Sequence, residues 1–204
     1  MTGNQTAMLL WAGILLIAGG VLCIGFDRPS SHYLYDHVSA RLWRVLDATT
    51  HLAKASHWLI AAALAYGVAA YEGWDTMRRC ATAFVAAVAL GSVVLHTIKL
   101  VLGRRRPRDD FEMGLYGFMP LAFDADYNSF PSGHALTIMC VAVTASTVWP
   151  MLAPLWFAVA LWLGLTRALL TAHYLSDVLV GAGIGLISAR EAAIYILPHV
   201  PNWF

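Results

Sequence analysis

The sequence has few charged residues and almost no net charge. Only 12% of its 204 residues are charged and 59% are hydrophobic, whereas an ordinary soluble domain contains roughly 25% charged residues. This composition is typical of a membrane protein. The formal net charge of +1 argues against nucleic acid as a partner, because such a function needs a broad basic surface to neutralise phosphates.

Cysteine is also scarce. The three residues Cys23, Cys80 and Cys140 lie in or at the edge of apolar stretches. An odd number without close spacing gives neither a disulfide framework nor a zinc pattern. We interpret all three as small buried hydrophobic residues.

Apolar stretches near or above the roughly 20 residues needed to cross a hydrocarbon core recur along the chain. Because backbone polar groups need internal partners in lipid, each stretch is predicted to be a helix. The predicted fold class is all-α, a polytopic membrane protein with six transmembrane helices in which residues 1–204 form one integral membrane domain. The first stretch lacks a preceding basic region and a convincing cleavage site, so we expect a retained span rather than a signal peptide. The predicted spans are Ala7–Phe26, His57–Tyr71, Arg79–Leu102, His134–Trp149, Leu152–Leu170 and Val178–Leu197.

A more polar segment, His32–Lys54, separates the first two predicted spans. Its apolar residues recur at helical spacing against charged ones, which predicts an amphipathic helical segment between the first and second spans, lying on the membrane surface. A connector whose apolar stripe packs on the bundle would give the same pattern, and both interpretations stay open. In either arrangement the segment can cover a site at this end of the bundle.

Small residues crowd the run Gly181–Gly185 inside the last predicted span. A phosphate-binding loop is one interpretation of these glycines. Their place within an apolar segment favours close packing of helices instead.

Three clusters carry the residues that could perform chemistry: Lys99–Pro107, Phe130–His134 and Thr166–Asp177. With six spans, the first two flank the loop between spans three and four, and the third lies in the turn between spans five and six. Both connections open on the same side of the membrane. Ionisable residues at span ends are costly unless they face a partner or a polar cavity, so we expect a shared site.

The cations of these clusters predict a phosphate site. Lys99, Arg106 and Arg167 offer three positive charges, and the planar fork of arginine matches phosphate oxygens. Ser132 supplies a hydroxyl, and Gly133 allows close approach of backbone N–H groups at a helix start. These five residues are the candidate phosphate ligands.

Two histidines remain for bond breaking. His173 and Asp177 are four residues apart, so on a helix the carboxylate can bind one ring nitrogen and leave the other free to attack phosphorus. His134 is placed to protonate the departing oxygen and then to activate water. The predicted catalytic residues are therefore His173, His134 and Asp177.

The clusters resemble the Lys-x6-Arg-Pro, Pro-Ser-Gly-His and Ser-Arg-x5-His-x3-Asp motifs of the type 2 phosphatidic acid phosphatase superfamily, in its bacterial integral membrane branch. Thr166 stands where the family has serine; it keeps a hydroxyl, so we expect little change at that position. The matching positions are Lys99, Arg106, Pro107, Pro131, Ser132, Gly133, His134, Arg167, His173 and Asp177.

The resemblance implies a metal-independent lipid phosphatase without a cofactor. It implies a phosphohistidine intermediate at His173, with His134 as acid and base. The family also contains soluble vanadium haloperoxidases, but the apolar spans argue against that branch. An anion channel or transporter is the alternative function, although it would not explain the two histidines beside the cations.

The expected partners are membrane lipids and a lipid phosphate substrate. Phosphatidic acid, phosphatidylglycerol phosphate, undecaprenyl pyrophosphate and lipid A phosphate all fit. We expect aromatic residues of the loop Asp109–Phe130 to help select among them. These residues are Phe111, Tyr116, Phe118, Phe123 and Tyr127.

The orientation in the membrane is open to two predictions. Of the thirteen Lys and Arg residues, all but Arg78, Arg79 and Arg190 fall on the side of the three clusters, which by the positive-inside rule would face the cytoplasm. The resemblance implies the opposite. Because several of these cations are candidate phosphate ligands, we expect a multi-pass protein of the bacterial inner membrane whose site faces the periplasm or exterior.

Overall fold

A computed structural model describes residues 3–121 and 124–197. Regular secondary structure in these residues is helical, and the remaining backbone pairing consists of isolated bridges from Arg104 to Phe118 and to Asn128. The prediction of an all-α fold is confirmed. The α-helices are α1 (Gly3–Cys23), α2 (Asp27–His37), α3 (Ala40–Thr50), α4 (Ala55–Glu72), α5 (Asp75–Leu102), α6 (Pro107–Met113), α7 (Gly133–Val148), α8 (Ala153–Leu169) and α9 (Leu175–Ile196).

Within the described ranges, four segments are long and apolar enough to cross a membrane: Asn4–His37, Asp75–Leu102, Pro150–Leu169 and Leu175–Ile196. The pair Ala40–Ala53 and Ala55–Glu72, bent by 43°, makes a fifth if it crosses as one span. At 16 residues, α7 is shorter than a typical span. Each of the six predicted spans falls on a helix, but the number that cross the membrane stays a prediction.

Helix α9 forms the centre of the bundle and packs against α1, α5, α7 and α8. Its small residues permit this contact. A Cβ atom at Gly181 would overlap the carbonyl oxygen of Ser132, and one at Gly183 would lie 2.6 Å from the carbonyl oxygen of Gly13. The interpretation of the Gly181–Gly185 run as a packing surface is confirmed.

The chain brings the three clusters to one end of the bundle. Lys99 lies in the last turn of α5 and Arg167 in the last turn of α8. His134 lies in the first turn of α7, and His173 lies just before α9. At the same end, Arg28 of α2 donates to both carboxylate oxygens of Asp110 of α6, at 3.1 and 2.9 Å.

Helix α3 packs against α8, as expected for a connector whose apolar stripe packs on the bundle, and its place on the membrane surface stays a prediction. Leu46 and Thr50 are buried by protein, whereas Leu42 and Val45 keep 38% and 48% of their surface exposed. One face of α3 therefore packs on the bundle, and an apolar edge remains uncovered by the described residues.

Candidate active site

A cavity of about 610 Å³ lies where the three clusters meet. Six of the eight predicted site residues line it, whereas the fully buried Ser132 and Asp177 are next to lining residues. The lining residues are Leu95, His96, Lys99, Leu100, Gly103, Arg106, Asp124, Tyr127, Asn128, Gly133, His134, Arg167 and His173.

Two cations of the cavity converge on one neutral residue, Asn128. The Lys99 ammonium donates to the backbone oxygen of Asn128 and lies 3.4 Å from its side-chain oxygen. The Arg106 guanidinium lies 3.3 Å from the same side-chain oxygen. Burial and the nearby charge of Arg108 lower the pKa of Arg106, but an arginine stays protonated in proteins. Because Asn128 carries no charge, both positive charges remain available to an anion.

The third cation, Arg167, is bound by the last residue of α3, Thr50. Its Nη1 donates to the Thr50 hydroxyl at 3.1 Å. The Thr166 hydroxyl lies 2.9 Å from that of Thr50 and donates to the backbone oxygen of Leu163 at 2.7 Å. Thr166 is therefore turned towards protein groups rather than the cavity. In the described part of the chain, the buried Nε of Arg167 has no hydrogen-bond partner, so this donor is available to a ligand.

The start of α7 forms another wall of the cavity. Ser132 precedes the first turn, its backbone N–H donates to the backbone oxygen of Asp177 at 2.9 Å, and Gly133 lines the cavity. The Ser132 hydroxyl is buried and has no partner among the described residues. The free amides of a helix start carry partial positive charge, which adds to the attraction for an anion.

His173 is oriented through its Nδ1 atom. Nδ1 lies 3.4 Å from Oδ2 of Asp177 and 3.4 Å from the Ser129 hydroxyl. That hydroxyl donates to the same carboxylate oxygen at 2.6 Å, and the backbone N–H of Tyr174 donates to it at 3.0 Å. The predicted pairing of His173 with Asp177 is present, and Nε2 is the ring nitrogen left for the cavity that His173 lines.

The protonation state of His173 suits a nucleophile. Burial lowers the pKa of His173, and this outweighs the opposite influence of the Asp177 carboxylate. At neutral pH the imidazole is therefore uncharged, with a lone pair available on one nitrogen.

The aromatic residues of the loop between α5 and α7 do not share one location. Tyr127 lines the cavity, but Phe111 packs against Tyr35 of α2. The ring of Phe118 lies 4.8 Å from the Arg104 guanidinium. Phe123 lies outside the described residues.

Several residues that contact the site were not identified from the sequence. Asn128 and Thr50 bind the cations, and Ser129 binds both Asp177 and His173. Arg104 and Asp27 form a buried ion pair that reaches Asp177. Of these residues, only Asp27 could have been identified from the sequence, because it directly follows an apolar run and a buried carboxylate requires a partner.

The site residues include no cluster typical of a metal centre. In the part of the chain that the structure describes, no group of three or more His, Cys, Asp or Glu residues is arranged to hold a metal ion. The cavity is instead lined by cationic side chains.

Two named relatives are similar in sequence. A lipid A 1-phosphatase of Rhizobium etli is 31% identical over 143 residues, which cover 70% of this chain and 60% of that protein. A lipid A 1-phosphatase of Rhizobium johnstonii is 33% identical over 98 residues, which cover 48% of this chain and 40% of that protein. The matched regions thus span less than two thirds of the relatives' length.

Two crystal structures share the fold. A transmembrane PAP2-type phosphatidylglycerolphosphate phosphatase from Bacillus subtilis matches with a TM-score of 0.67 at 22% identity, covering 98% of each chain. Aquifex aeolicus LpxE matches with a TM-score of 0.66 at 19% identity, covering 83% of this chain and 96% of that one.

A family model matches the part of the chain that contains all residues lining the cavity. The model of the PAP2 superfamily matches residues 80–200, more than half of the chain. All three clusters lie within that range, in the order and spacing of the family's motifs. The chain belongs to the PAP2 superfamily.

Proposed function

We propose that this protein is a membrane lipid phosphatase that hydrolyses a terminal phosphate monoester or diphosphate of a lipid through a phosphohistidine intermediate. The observation that carries the proposal is the cavity in which neutral His173, backed by Asp177, faces the cations Lys99, Arg106 and Arg167. A nucleophile with an orienting base partner, beside donors for the phosphoryl oxygens, is an arrangement suited to phosphoryl transfer.

In the first step, Nε2 of His173 attacks phosphorus and the bond from phosphorus to the lipid oxygen breaks. The leaving oxygen takes the bonding electron pair and a proton from His134, which acts as the acid. Asp177 stabilises the proton that stays on Nδ1 of His173. The three cations, Gly133 and Ser132 bind the phosphoryl oxygens, where charge is spread in the transition state.

In the second step, water attacks phosphorus and gives a proton to His134. The bond from phosphorus to nitrogen breaks, its electron pair returns to Nε2 of His173, and inorganic phosphate leaves. His134 ends the cycle protonated, as it began. The residues present can therefore complete hydrolysis with no metal or other cofactor.

The membrane arrangement is part of the proposal. We infer one integral membrane domain over residues 1–204 with six spans, formed by α1, α4, α5, α7, α8 and α9. The cavity then opens at one membrane surface, beneath α2 and α3. Bacterial relatives support a location in the inner membrane, and we place the cavity on the periplasmic or exterior face.

Release of inorganic phosphate from a panel of purified lipid phosphates in detergent tests the function. The sequence relatives are named lipid A 1-phosphatases, so lipid A heads a panel that includes phosphatidic acid, phosphatidylglycerol phosphate and undecaprenyl pyrophosphate. We expect turnover that survives a chelator and is blocked by vanadate, which adopts the geometry of the transition state. The variant His173→Ala is the control for contaminating phosphatase.

Two results would contradict the proposal. Loss of activity with the chelator, restored by magnesium, would refute the metal-free mechanism. No turnover of any substrate, together with phosphate transport by the protein in sealed vesicles, would favour the anion channel or transporter.

A further inference from the structure

Behind the cavity, one fully buried guanidinium bridges two buried carboxylates. Nη1 of Arg104 donates to Oδ1 of Asp177 at 2.7 Å, and Nη2 donates to Oδ2 of Asp27 at 2.8 Å. The side chains of all three residues have no exposed surface. The group joins Asp27, at the junction of α1 and α2, to Asp177, in the first turn of α9.

The two oxygens of the Asp177 carboxylate have different partners because Arg104 binds one of them. Oδ1 binds the guanidinium, which leaves Oδ2 for Ser129, the Tyr174 amide and the Nδ1 side of His173. A carboxylate held through both oxygens cannot rotate away from the imidazole. Its direction towards His173 therefore depends on Arg104.

The backbone of Arg104 fixes a second partner of His173. Its carbonyl oxygen accepts from the Ser129 N–H at 2.9 Å, and its N–H donates to the Tyr127 carbonyl at 2.9 Å. The Ser129 side chain then reaches both Asp177 and Nδ1 of His173. One residue thus positions both groups that contact the predicted nucleophile.

Asp27 prevents the guanidinium from turning. Besides Arg104, it accepts hydrogen bonds from the backbone N–H of Ser176 at 3.1 Å and from the Ser176 hydroxyl. Arg104 also donates to that hydroxyl at 2.7 Å, and its guanidinium lies 4.1 Å from the centre of the Tyr174 ring. Asp27 therefore fixes both Arg104 and the start of α9.

We propose that Arg104 and Asp27 are positioning residues of the phosphatase reaction, which hold Asp177 in the orientation that directs Nε2 of His173 at the phosphoryl group. The proposal rests on the function proposed above. It makes Asp27 a part of the active site, although this residue lies outside the three motifs and before residue 80, where the family match begins.

The variants Arg104→Lys and Asp27→Asn test this role. A lysine keeps the charge but cannot direct two separated donors at two carboxylates, and an asparagine keeps the shape of the Asp27 side chain without its charge. For both we expect kcat to fall on the order of 10- to 100-fold, by analogy with the loss when a residue that orients a metal ligand is changed. Arg104→Gln, which also removes the charge, should lose more than Arg104→Lys.

Separate measurement of kcat and KM distinguishes a positioning role from a general loss of stability. The phosphate ligands Lys99, Arg106 and Arg167 are not in this network, so KM and the inhibition constant for vanadate should change by less than about threefold. The rate of phosphohistidine formation in a single turnover should fall as much as kcat.

Arg28→Gln is the matched control. Arg28 also pairs with a buried carboxylate, that of Asp110, at the same end of the bundle, and it is half-exposed. This variant breaks an ion pair between α2 and α6 that does not reach Asp177. We expect its kcat to equal that of the wild type.

Three outcomes would overturn the inference. They are unchanged kcat in both Arg104→Lys and Asp27→Asn, an equal loss in Arg28→Gln, and a loss that appears in KM and vanadate binding rather than kcat. If Arg104→Lys does not fold, the isosteric Asp27→Asn decides alone. Failure of the proposed function would show as inactivity of the wild type, whereas failure of this inference shows only in the variants.

Discussion

Ser132 and Gly181 bring the starts of two helices into direct backbone contact. A Cβ atom at position 181 would overlap the carbonyl oxygen of Ser132, while the Ser132 N–H donates to the Asp177 carbonyl at 2.9 Å. The first contact requires glycine, and the second joins the end of α7 that we propose to bind phosphate to the first turn of α9, which carries Asp177. The relative position of these two motifs therefore depends on a residue that lies in neither.

Gly181→Ala should reduce activity by separating these two helix starts. The added methyl group meets backbone rather than a flexible side chain, so the helices must move apart, and we expect a loss of stability of about 1 to 3 kcal/mol. Phosphate release and the thermal midpoint in detergent measure the two effects. Gly67→Ala is the matched control, because a Cβ atom there meets nothing within 4 Å. An active, stable Gly181→Ala protein would show that this contact is not required.

The two histidines should fail in different ways. His173→Ala should abolish turnover of every substrate, because it removes the nucleophile. His134→Ala should lose most with a lipid alkoxide, which needs a proton to depart, and least with a nitrophenyl phosphate, whose phenolate departs without one. Initial rates with both esters measure this difference, provided that the nitrophenyl ester enters the cavity.

Loss of the water-activating base should also trap the intermediate in His134→Ala. Denaturation without acid followed by mass analysis should then locate the added phosphate on His173. Phosphate found on His134 in the wild type or in His173→Ala would mean that the two roles are exchanged.

Arg167→Lys should cost much of the rate although the charge is kept. Lysine offers a point charge in place of a planar fork, and it would lose both the Nε donor and the contact with Thr50. We expect kcat/KM to fall by about tenfold or more, the loss expected when one charge-assisted hydrogen bond to the transition state is removed. Arg79→Lys, a half-exposed change at the far end of α5, serves as the control. Nearly full activity of Arg167→Lys would identify Arg167 as a membrane anchor.

The first chemical step should resist mild acid. The neutral imidazole is the reactive form of His173, and burial lowers its pKa, so the reactive fraction stays high as the pH falls through the ordinary histidine value of about 6.5. Single-turnover phosphorylation by a nitrophenyl ester isolates this group, because the leaving phenolate does not require the acid. A rate that halves at or above pH 6.5 would contradict the buried, neutral state.

Cysteine labelling should reveal the orientation. Helix α5 has 28 residues, so it is roughly 42 Å long and separates Asp75 from the cavity, whereas Asp124 lines the cavity. In a background without Cys23, Cys80 and Cys140, Asp124→Cys should react with an impermeant reagent added to intact cells, and Asp75→Cys should not. The reverse pattern would show that the positive-inside count was right.

Much of the site could be predicted because its key relationships are local in the chain. The four-residue spacing of His173 and Asp177 places His173 just before α9 and Asp177 in its first turn, where they make the expected contact. Lys99 and Arg106 lie on either side of the end of α5, so a single turn of the chain brings them to one cavity. Two helices, α7 and α8, lie between the second and third clusters, so the chain returns to the same end of the bundle.

The three successive arginines show what the sequence determined and what only the tertiary structure decided. The sequence by itself determined a helical membrane protein with a cationic site, because apolar length and motif spacing are local properties. It did not distinguish the roles of neighbouring cations. Arg104 is buried between Asp27 and Asp177, Arg105 pairs with Asp126, and Arg106 lines the cavity. The three roles differ because α2, α9 and the loop before α7 carry the carboxylates Asp27, Asp177 and Asp126. A buried guanidinium is stable only where carboxylates from distant parts of the chain meet it.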